Sequence, residues 1–118
     1  MKIIGVIPAR WSSSRFPGKP LKEIAGKAMI HRVWDQAIKC TSITEVLVAT
    51  DDQRIVDYCR SNSLSVVMTS SEHLTGSDRI AEVAEKTAGD IFVNIQGDEP
   101  LIEPDTIDTV TDCLKSAI

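Results

Sequence analysis

The chain has 118 residues, enough for one domain with a single core and too few for two ordinary domains. Its 42% hydrophobic and 25% charged residues are typical of a globular protein, and its net charge of −4 argues against a general nucleic-acid or anionic-membrane binder. It has no apolar stretch of the roughly 20 residues that cross a bilayer and no secretory cleavage signal, so we expect a cytoplasmic protein.

A predicted strand and a basic loop open the chain. The compact apolar run Ile3–Ile7 ends at a proline and predicts a buried strand. The segment PARWSSSRFPGKPL, residues 8–21, follows it and carries Arg10, Arg15 and Lys19 among serines, prolines and one glycine. Because guanidinium, ammonium, hydroxyl and amide donors all suit phosphate oxygens, the loop predicts a local anion site, with a solvated basic loop as the alternative.

The rest of the chain alternates predicted helices and strands. Apolar residues at helical spacing predict helices over Ala28–Cys40, over Asp52–Arg60, from Ser77 or Asp78 to about Ala88, and from Pro104 onward. Short apolar runs predict further strands over Val46–Ala49, Ser65–Met68 and Ile91–Ile95. This order predicts an α/β fold, in which βαβ units build a mostly parallel sheet with helices on both faces.

Polar residues follow the last predicted strand at the edge of the sheet where ligands bind in parallel folds. The segment IQGDEPLI places Gln96, Asp98 and Glu99 there, directly after the apolar run. A carboxylate in this position suits Mg²⁺, which takes oxygen ligands from carboxylates and substrate phosphates. A plain turn that leads into an acidic helix start is the alternative.

The segment SSEHLTGSDRI, residues 70–80, predicts a helix start at Thr75–Asp78. Free amides at that start and the guanidinium of Arg79 are also suitable donors for a base or a phosphate. Asp51 and Asp52 are predicted simply to end a strand and cap a helix.

Several other side chains are predicted to be structural. Three widely spaced cysteines favour neither a disulfide framework nor a zinc site, and they are Cys40, Cys59 and Cys113. His31 is predicted to be a packing or interface residue, and Trp34 a core residue. Trp11 lies inside the basic loop, where we expect it to cover a ligand.

Four segments together are similar to one known family. PARWSSSRFPGKPL, VATDD, LTGSDRIAEV and VNIQGDEPLI, in this order and spacing, closely resemble the CMP-Kdo synthetases, the cytidylyltransferases that activate 3-deoxy-manno-octulosonate for bacterial lipopolysaccharide. The resemblance covers essentially the whole chain. It implies a Rossmann-like fold of the nucleotide-diphospho-sugar transferase type, transfer of CMP from CTP to the sugar acid, and a Mg²⁺ cofactor.

The resemblance also implies roles for particular residues. Arg10, Lys19 and Asp98 are expected to serve catalysis, with Asp98 as a Mg²⁺ ligand. Substrate contacts are expected from Ala9, Arg10, Ser13, Arg15, Lys19, Thr75, Gly76, Arg79 and Gln96. Within that set, the residues from 75 to 79 belong to the segment that helps to hold the cytosine in this family.

Members of the family are about twice as long as this chain. The resemblance therefore implies that residues 1–118 are the nucleotide-binding N-terminal portion of a single cytidylyltransferase domain, doubtfully active alone and prone to self-association, as a homodimer or otherwise. Two other functions stay open: CMP transfer to another sugar acid such as sialic acid, and a non-catalytic nucleotide-binding or assembly module. No nucleic-acid or membrane partner is expected.

Overall fold

The computed structural model describes residues 2–11, 18–24, 26–70 and 76–95. In chain order the elements are β1 (Ile3–Ala9), a short 3-10 helix (Lys19–Leu21), β2 (Glu23–Ile24), β3 (Lys27–Ala28), α1 (Met29–Ala37), β4 (Glu45–Thr50), α2 (Gln53–Ser61), β5 (Val66–Met68), α3 (Gly76–Lys86) and β6 (Ile91–Asn94). No helix within these ranges is long and apolar enough to cross a membrane.

The main sheet is parallel and has helices on both faces, as predicted. Its strand order is β5-β4-β1-β6. Alternate residues of β1 point to opposite faces, so Ile3 and Ile7 join the core under α1 and α2, whereas Ile4 and Val6 pack with Val83 of α3. The predicted α/β class is confirmed, because each face of the sheet is covered by at least one amphipathic helix.

The strand order creates a switch point beside β1. The chain moves outward from β1 to β4 and β5, and then returns to the other side of β1 for β6. Ala9 lies beside Thr50, and Asn94 lies beside Val6, with the next backbone amide, that of Ile95, donating to the Val6 carbonyl at 2.8 Å. The carboxyl ends of β1, β4 and β6 therefore share one edge, where ligands bind in such sheets.

Strand β1 is longer than predicted, because it continues through Pro8 to Ala9. The Ile3 carbonyl accepts a hydrogen bond from Thr44 on the β4 side, whereas the Val6 carbonyl accepts one from Ile95 on the β6 side. Successive backbone groups of β1 face β4 and β6 in turn, so the backbone nitrogen of Pro8 faces the β6 side. It lies beyond Val6, the last residue of β1 that pairs with β6. Its missing amide hydrogen thus interrupts no ladder bond in the described sheet.

Helix α1 is shorter at both ends than the predicted Ala28–Cys40. Ala28 belongs to β3, where it pairs with Glu23 in a small antiparallel ladder that apolar periodicity did not predict. At the other end Ile38 is the C-cap and is 56% exposed. The apolar residues at helical spacing therefore continue in the sequence beyond the last buried residue of the helix, Ala37.

Helix α3 begins at Gly76, one or two residues earlier than the predicted cap at Ser77 or Asp78. Asp78 therefore lies in the first turn, where its charge is favourable to the helix dipole. The helix ends at Lys86, before the predicted limit of Ala88. The predicted helix from Pro104 lies outside the described residues.

Candidate functional site

Three elements bring polar and charged side chains to the carboxyl edge of the sheet. Arg10 directly follows β1 and is exposed to solvent, and Asp51 directly follows β4. Arg79 comes from the first turn of α3 and has no solvent exposure at all. The edge therefore combines an exposed cation and a buried cation with one carboxylate.

The guanidinium of Arg79 is only partly satisfied within the chain. Its Nη1 donates to Thr69 Oγ1 and to the Ser70 carbonyl oxygen, the latter at 3.2 Å. Its Nη2 lies 3.8 Å from Asp51 Oδ2, an ion-pair contact too long for a hydrogen bond. Nε and Nη2 of Arg79, like Oδ1 of Asp51, are buried and have no hydrogen-bond partner among the described residues. Buried donors without a partner are rare and mark a place that a ligand can complete.

Charged groups of both signs act on Arg79 at this edge. Burial lowers the pKa of the Arg79 guanidinium, the Asp51 carboxylate opposes that change, and the charge of Arg10 lowers the pKa further. Arg10 is thus close enough for the two guanidinium groups to repel each other. The carboxylate of Glu82 also acts on Arg79 and, like that of Asp51, raises its pKa, so the charged groups around Arg79 are one further cation and two carboxylates.

The two ends of the basic loop are joined at Trp11 and Gly18. The Gly18 amide donates to the Trp11 carbonyl oxygen at 2.7 Å, and Gly18 adopts a φ of 77°. A Cβ atom at Gly18 would lie 2.9 Å from Cη2 of Trp11, so this position requires glycine for both its backbone angle and its close contact. Because Arg10 precedes Trp11 and Lys19 follows Gly18, this hydrogen bond brings the backbone of the two residues close together.

Arg54 stacks on the ring of Trp11, one of the two residues that close the loop. Its guanidinium carbon lies 3.4 Å from the centroid of the Trp11 ring. Asp52 holds it through two hydrogen bonds, from Nε at 3.0 Å and from Nη2 at 2.8 Å. Asp52 also caps α2 as predicted, by accepting the Arg54 amide at 2.8 Å. These contacts with Arg54 hold the pKa of the Asp52 carboxyl below its ordinary value.

The structure describes only part of the predicted site. Ala9 is buried at the end of β1, Lys19 begins the 3-10 helix, and Gly76 begins α3, while Arg10 and Arg79 come together at the sheet edge. The other predicted site residues lie outside the described ranges: Ser13, Arg15, Thr75, Gln96 and Asp98. The roles assigned to all of these residues stay predictions.

The sequence analysis missed two residues of this edge. Asp51 was predicted to do no more than end a strand, and Arg54 was not singled out. Arg54 had one local signal, since it follows the capping Asp52 by two residues, but nothing local indicates its contact with Trp11.

The predicted packing residues are confirmed within the described chain. His31 Nδ1 lies 2.9 Å from the Tyr58 hydroxyl oxygen, and its ring meets the tyrosine edge-on. Trp34 packs against the core, as does the partly buried Trp11. Cys40 and Cys59 are free and buried, and burial raises the pKa of the Cys59 thiol to about 11, so this thiol stays protonated near neutrality.

The described residues contain no group of three or more histidine, cysteine, aspartate or glutamate side chains that could hold a metal ion. Asp98, the predicted Mg²⁺ ligand, is outside them.

A parallel sheet with helices on both faces and a switch point beside β1 defines an open α/β protein of the kind that binds ligands at that edge. The sequence profile of the cytidylyltransferase family matches residues 4–117, and the chain belongs to that family. A curated 3-deoxy-manno-octulosonate cytidylyltransferase from Geobacter metallireducens is 54% identical over 108 residues, which are 92% of this chain and 42% of that protein. The corresponding protein of Pseudomonas syringae pv. tomato is 56% identical over 108 residues, covering 89% and 42%.

A solved structure is also closely similar. The structure of CMP:2-keto-3-deoxy-manno-octonic acid synthetase complexed with CTP matches with a TM-score of 0.95 and 42% identity. The match covers 98% of this chain and 48% of that chain. The chain thus spans less than half the length of the curated relatives and about half of the solved one, which confirms that family members are about twice as long.

Proposed function

We propose that this chain is the nucleotide-binding part of an enzyme that transfers CMP from CTP to 3-deoxy-manno-octulosonate, releasing pyrophosphate, for lipopolysaccharide synthesis in the cytoplasm. The observation that carries the proposal is the switch-point edge, where Arg10 follows β1 and the buried Arg79 of α3 keeps two donor atoms without a hydrogen-bond partner among the described residues. Support comes from relatives of more than 50% identity that are named for this reaction, and from the similar structure that holds CTP.

The reaction needs positioning and charge neutralisation more than covalent help. The anomeric hydroxyl oxygen of the sugar forms a bond to the α-phosphorus of CTP while the bond to the pyrophosphate oxygen breaks. In our proposal Arg10 and Lys19 neutralise the triphosphate and the departing pyrophosphate, with help from Ser13 and Arg15. The backbone at Ala9, which ends β1, brings the chain to the nucleotide.

The cytosine is assigned to the start of α3. Arg79 retains two buried donors, Nε and Nη2, without a partner in the described chain, and cytosine offers a carbonyl oxygen and a ring nitrogen as acceptors. Thr75 and Gly76 are proposed to hold the same base, and Gln96 to contact the nucleotide or the sugar. A neutral base would satisfy these donors without requiring a second charge in the buried part of the edge.

Magnesium is the proposed cofactor, and Asp98 is its proposed ligand. When bound, Mg²⁺ would polarise the α-phosphoryl oxygen and offset the charge of the triphosphate. Asp98 follows β6, whose paired end lies at the same edge as the end of β1. A single carboxylate plus substrate phosphates is a usual way to hold this ion.

Calorimetry with CTP tests the proposal. We expect the wild-type chain to bind CTP more tightly than ATP, and Arg10→Ala to weaken CTP binding by about 1–3 kcal/mol, the contribution of a charge-assisted hydrogen bond. Lys2→Ala is the matched control, because Lys2 precedes β1 at the opposite edge and its side chain forms an exposed ion pair with Glu45. Equal CTP affinity in Arg10→Ala and the wild type would contradict the proposed role of the loop.

Two alternatives make different predictions. CMP transfer to another sugar acid, such as sialic acid, would appear as greater turnover with that acceptor at constant CTP. A non-catalytic nucleotide-binding or assembly module would bind CTP without promoting transfer to any acceptor.

We also propose that the chain self-associates, as a homodimer or a larger assembly. Within the described residues β5 and β6 each pair on one side only, and free strand edges are prone to pairing between chains. Light scattering over a range of concentrations tests this, and a constant monomer mass would contradict it.

A further inference from the structure

We propose that Arg54 is a positioning residue for the nucleotide-binding loop, acting through Trp11. This inference rests on the proposed function and deepens it, since it assigns a role in the same site to a residue outside the similar sequence segments. Arg54 is not proposed to touch CTP. It is proposed to hold the indole ring that fixes the two ends of the loop.

The guanidinium of Arg54 is itself held in a fixed orientation. Asp52 accepts from Nε and Nη2, so both edges of the carboxylate face the planar fork. Asp52 cannot easily turn away, because its Oδ1 also caps α2 and its amide donates to Thr50 Oγ1 at 3.3 Å. The end of β4 and the first turn of α2 thereby hold the planar guanidinium of Arg54 in one position.

Trp11 lies between this cation and the other end of the loop. One contact is the stack of Arg54 on its ring at 3.4 Å, and the other is the close approach of the ring to Gly18. The backbone hydrogen bond from Gly18 to Trp11 closes the loop at the same place. Arg10 precedes Trp11 and Lys19 follows Gly18, so a fixed indole fixes the backbone of both proposed triphosphate ligands.

The contribution of this arrangement is expected in binding more than in stability. The Arg54 side chain is 58% exposed, and exposed ion pairs add little to the free energy of unfolding. Fixing a loop before the ligand arrives lowers the entropy lost on binding, which raises affinity without a new contact. A purely structural role would change the unfolding midpoint and leave CTP affinity as it was.

The experiment compares Arg54→Ala and Arg54→Lys with the control Arg60→Ala, which removes an exposed cation from the last turn of the same helix. CTP affinity is measured by calorimetry. Acrylamide quenching of Trp11 fluorescence without nucleotide is measured in a Trp34→Phe background, so that Trp11 is the only indole. We expect both Arg54 variants to weaken CTP binding about fivefold and to increase quenching of Trp11, with Arg60→Ala equal to the parent chain.

Lysine keeps the charge at position 54 but cannot form the planar stack or the two-pronged contact with Asp52. Full CTP affinity in Arg54→Lys would show that Arg54 acts by its charge on CTP, and would overturn the inference. Wild-type affinity or unchanged Trp11 quenching in Arg54→Ala would also overturn it. Failure of the wild-type chain to bind CTP would remove the proposed function and this inference together, whereas the other outcomes would leave the proposed function intact.

Discussion

At the scale of single residues, the contact between Arg79 and Asp51 has the largest expected effect on folding. Arg79 is inaccessible to solvent, and the Asp51 side chain is 17% exposed. Removal of one partner from a buried pair leaves an uncompensated charge, whereas replacement of both by apolar groups can be nearly neutral.

Asp51→Ala is therefore expected to reduce the free energy of unfolding by about 1–3 kcal/mol, because it removes the stronger of the two carboxylate interactions with the buried Arg79 and leaves Glu82 as the other. The double variant Asp51→Ala with Arg79→Met is expected to lose less than Asp51→Ala alone. Urea unfolding measures both. Asp57→Ala, which removes an exposed carboxylate bonded to Gln53, is the control and should change stability by less than about 0.5 kcal/mol. A double variant less stable than Asp51→Ala would contradict the argument.

At the scale of elements, the sequence predicted the main strands and helices because their apolar residues repeat at the period of the element. In α1 the stripe of Met29, Ile30, Val33 and Ala37 is buried, as its spacing indicates. The pair β2 and β3 could not be predicted in this way, since two residues are too few to show a period. The exposed Ile38 shows that apolar spacing also does not predict where a helix ends, because the stripe continues past the last buried residue.

The candidate site also has parts that the sequence predicts and parts that it does not. The cap formed by Asp52 follows from its residue type and position, and the anion site predicted for the loop around Arg10 rests on residue types in the same way. The pairing of Asp51 with Arg79 and the stack of Arg54 on Trp11 join residues that are distant in sequence. Neither can be predicted without the strand order, which places the ends of β1 and β4 side by side.

Gly18→Ala tests the closure of the loop. A Cβ atom there would be strained by the positive φ and would also crowd the Trp11 ring, so we expect a loss of stability of about 1–3 kcal/mol and weaker CTP binding. Gly26→Ala is a matched control, because Gly26 has a φ of 88° but no described atom lies within 4 Å of the position that its new methyl carbon would take. It should show the backbone strain alone and bind CTP normally. Equal effects of the two substitutions on CTP binding would exclude a role for the Trp11 contact.

At the scale of the whole molecule, the relation between this chain and its relatives determines what it can do alone. The chain covers 42% of the length of the curated relatives, and the described residues place Arg10 and Arg79 at the edge where the nucleotide is proposed to bind. Binding of CTP and turnover are therefore expected to separate in this chain.

We predict that the 118-residue chain binds CTP yet releases little or no pyrophosphate when it is given CTP, 3-deoxy-manno-octulosonate and Mg²⁺. A coupled pyrophosphate assay beside calorimetry on the same preparation measures the two properties. A full-length relative of the kind named above is the positive control. Pyrophosphate release by the chain at the rate of that control would contradict the prediction.

The central position of β1 has a consequence for biosynthesis. Among the described strands β1 is synthesised before the others, but one of its two flanks is completed by β6, and the hydrogen bond from the Lys2 amide to the Asp90 carboxylate joins positions 88 residues apart. Such distant pairing is slow, because the intervening polypeptide must be made and folded before it forms. Nascent copies therefore expose an apolar, half-paired strand during much of translation, and at that stage neighbouring copies on one messenger compete with β6 for the vacant flank.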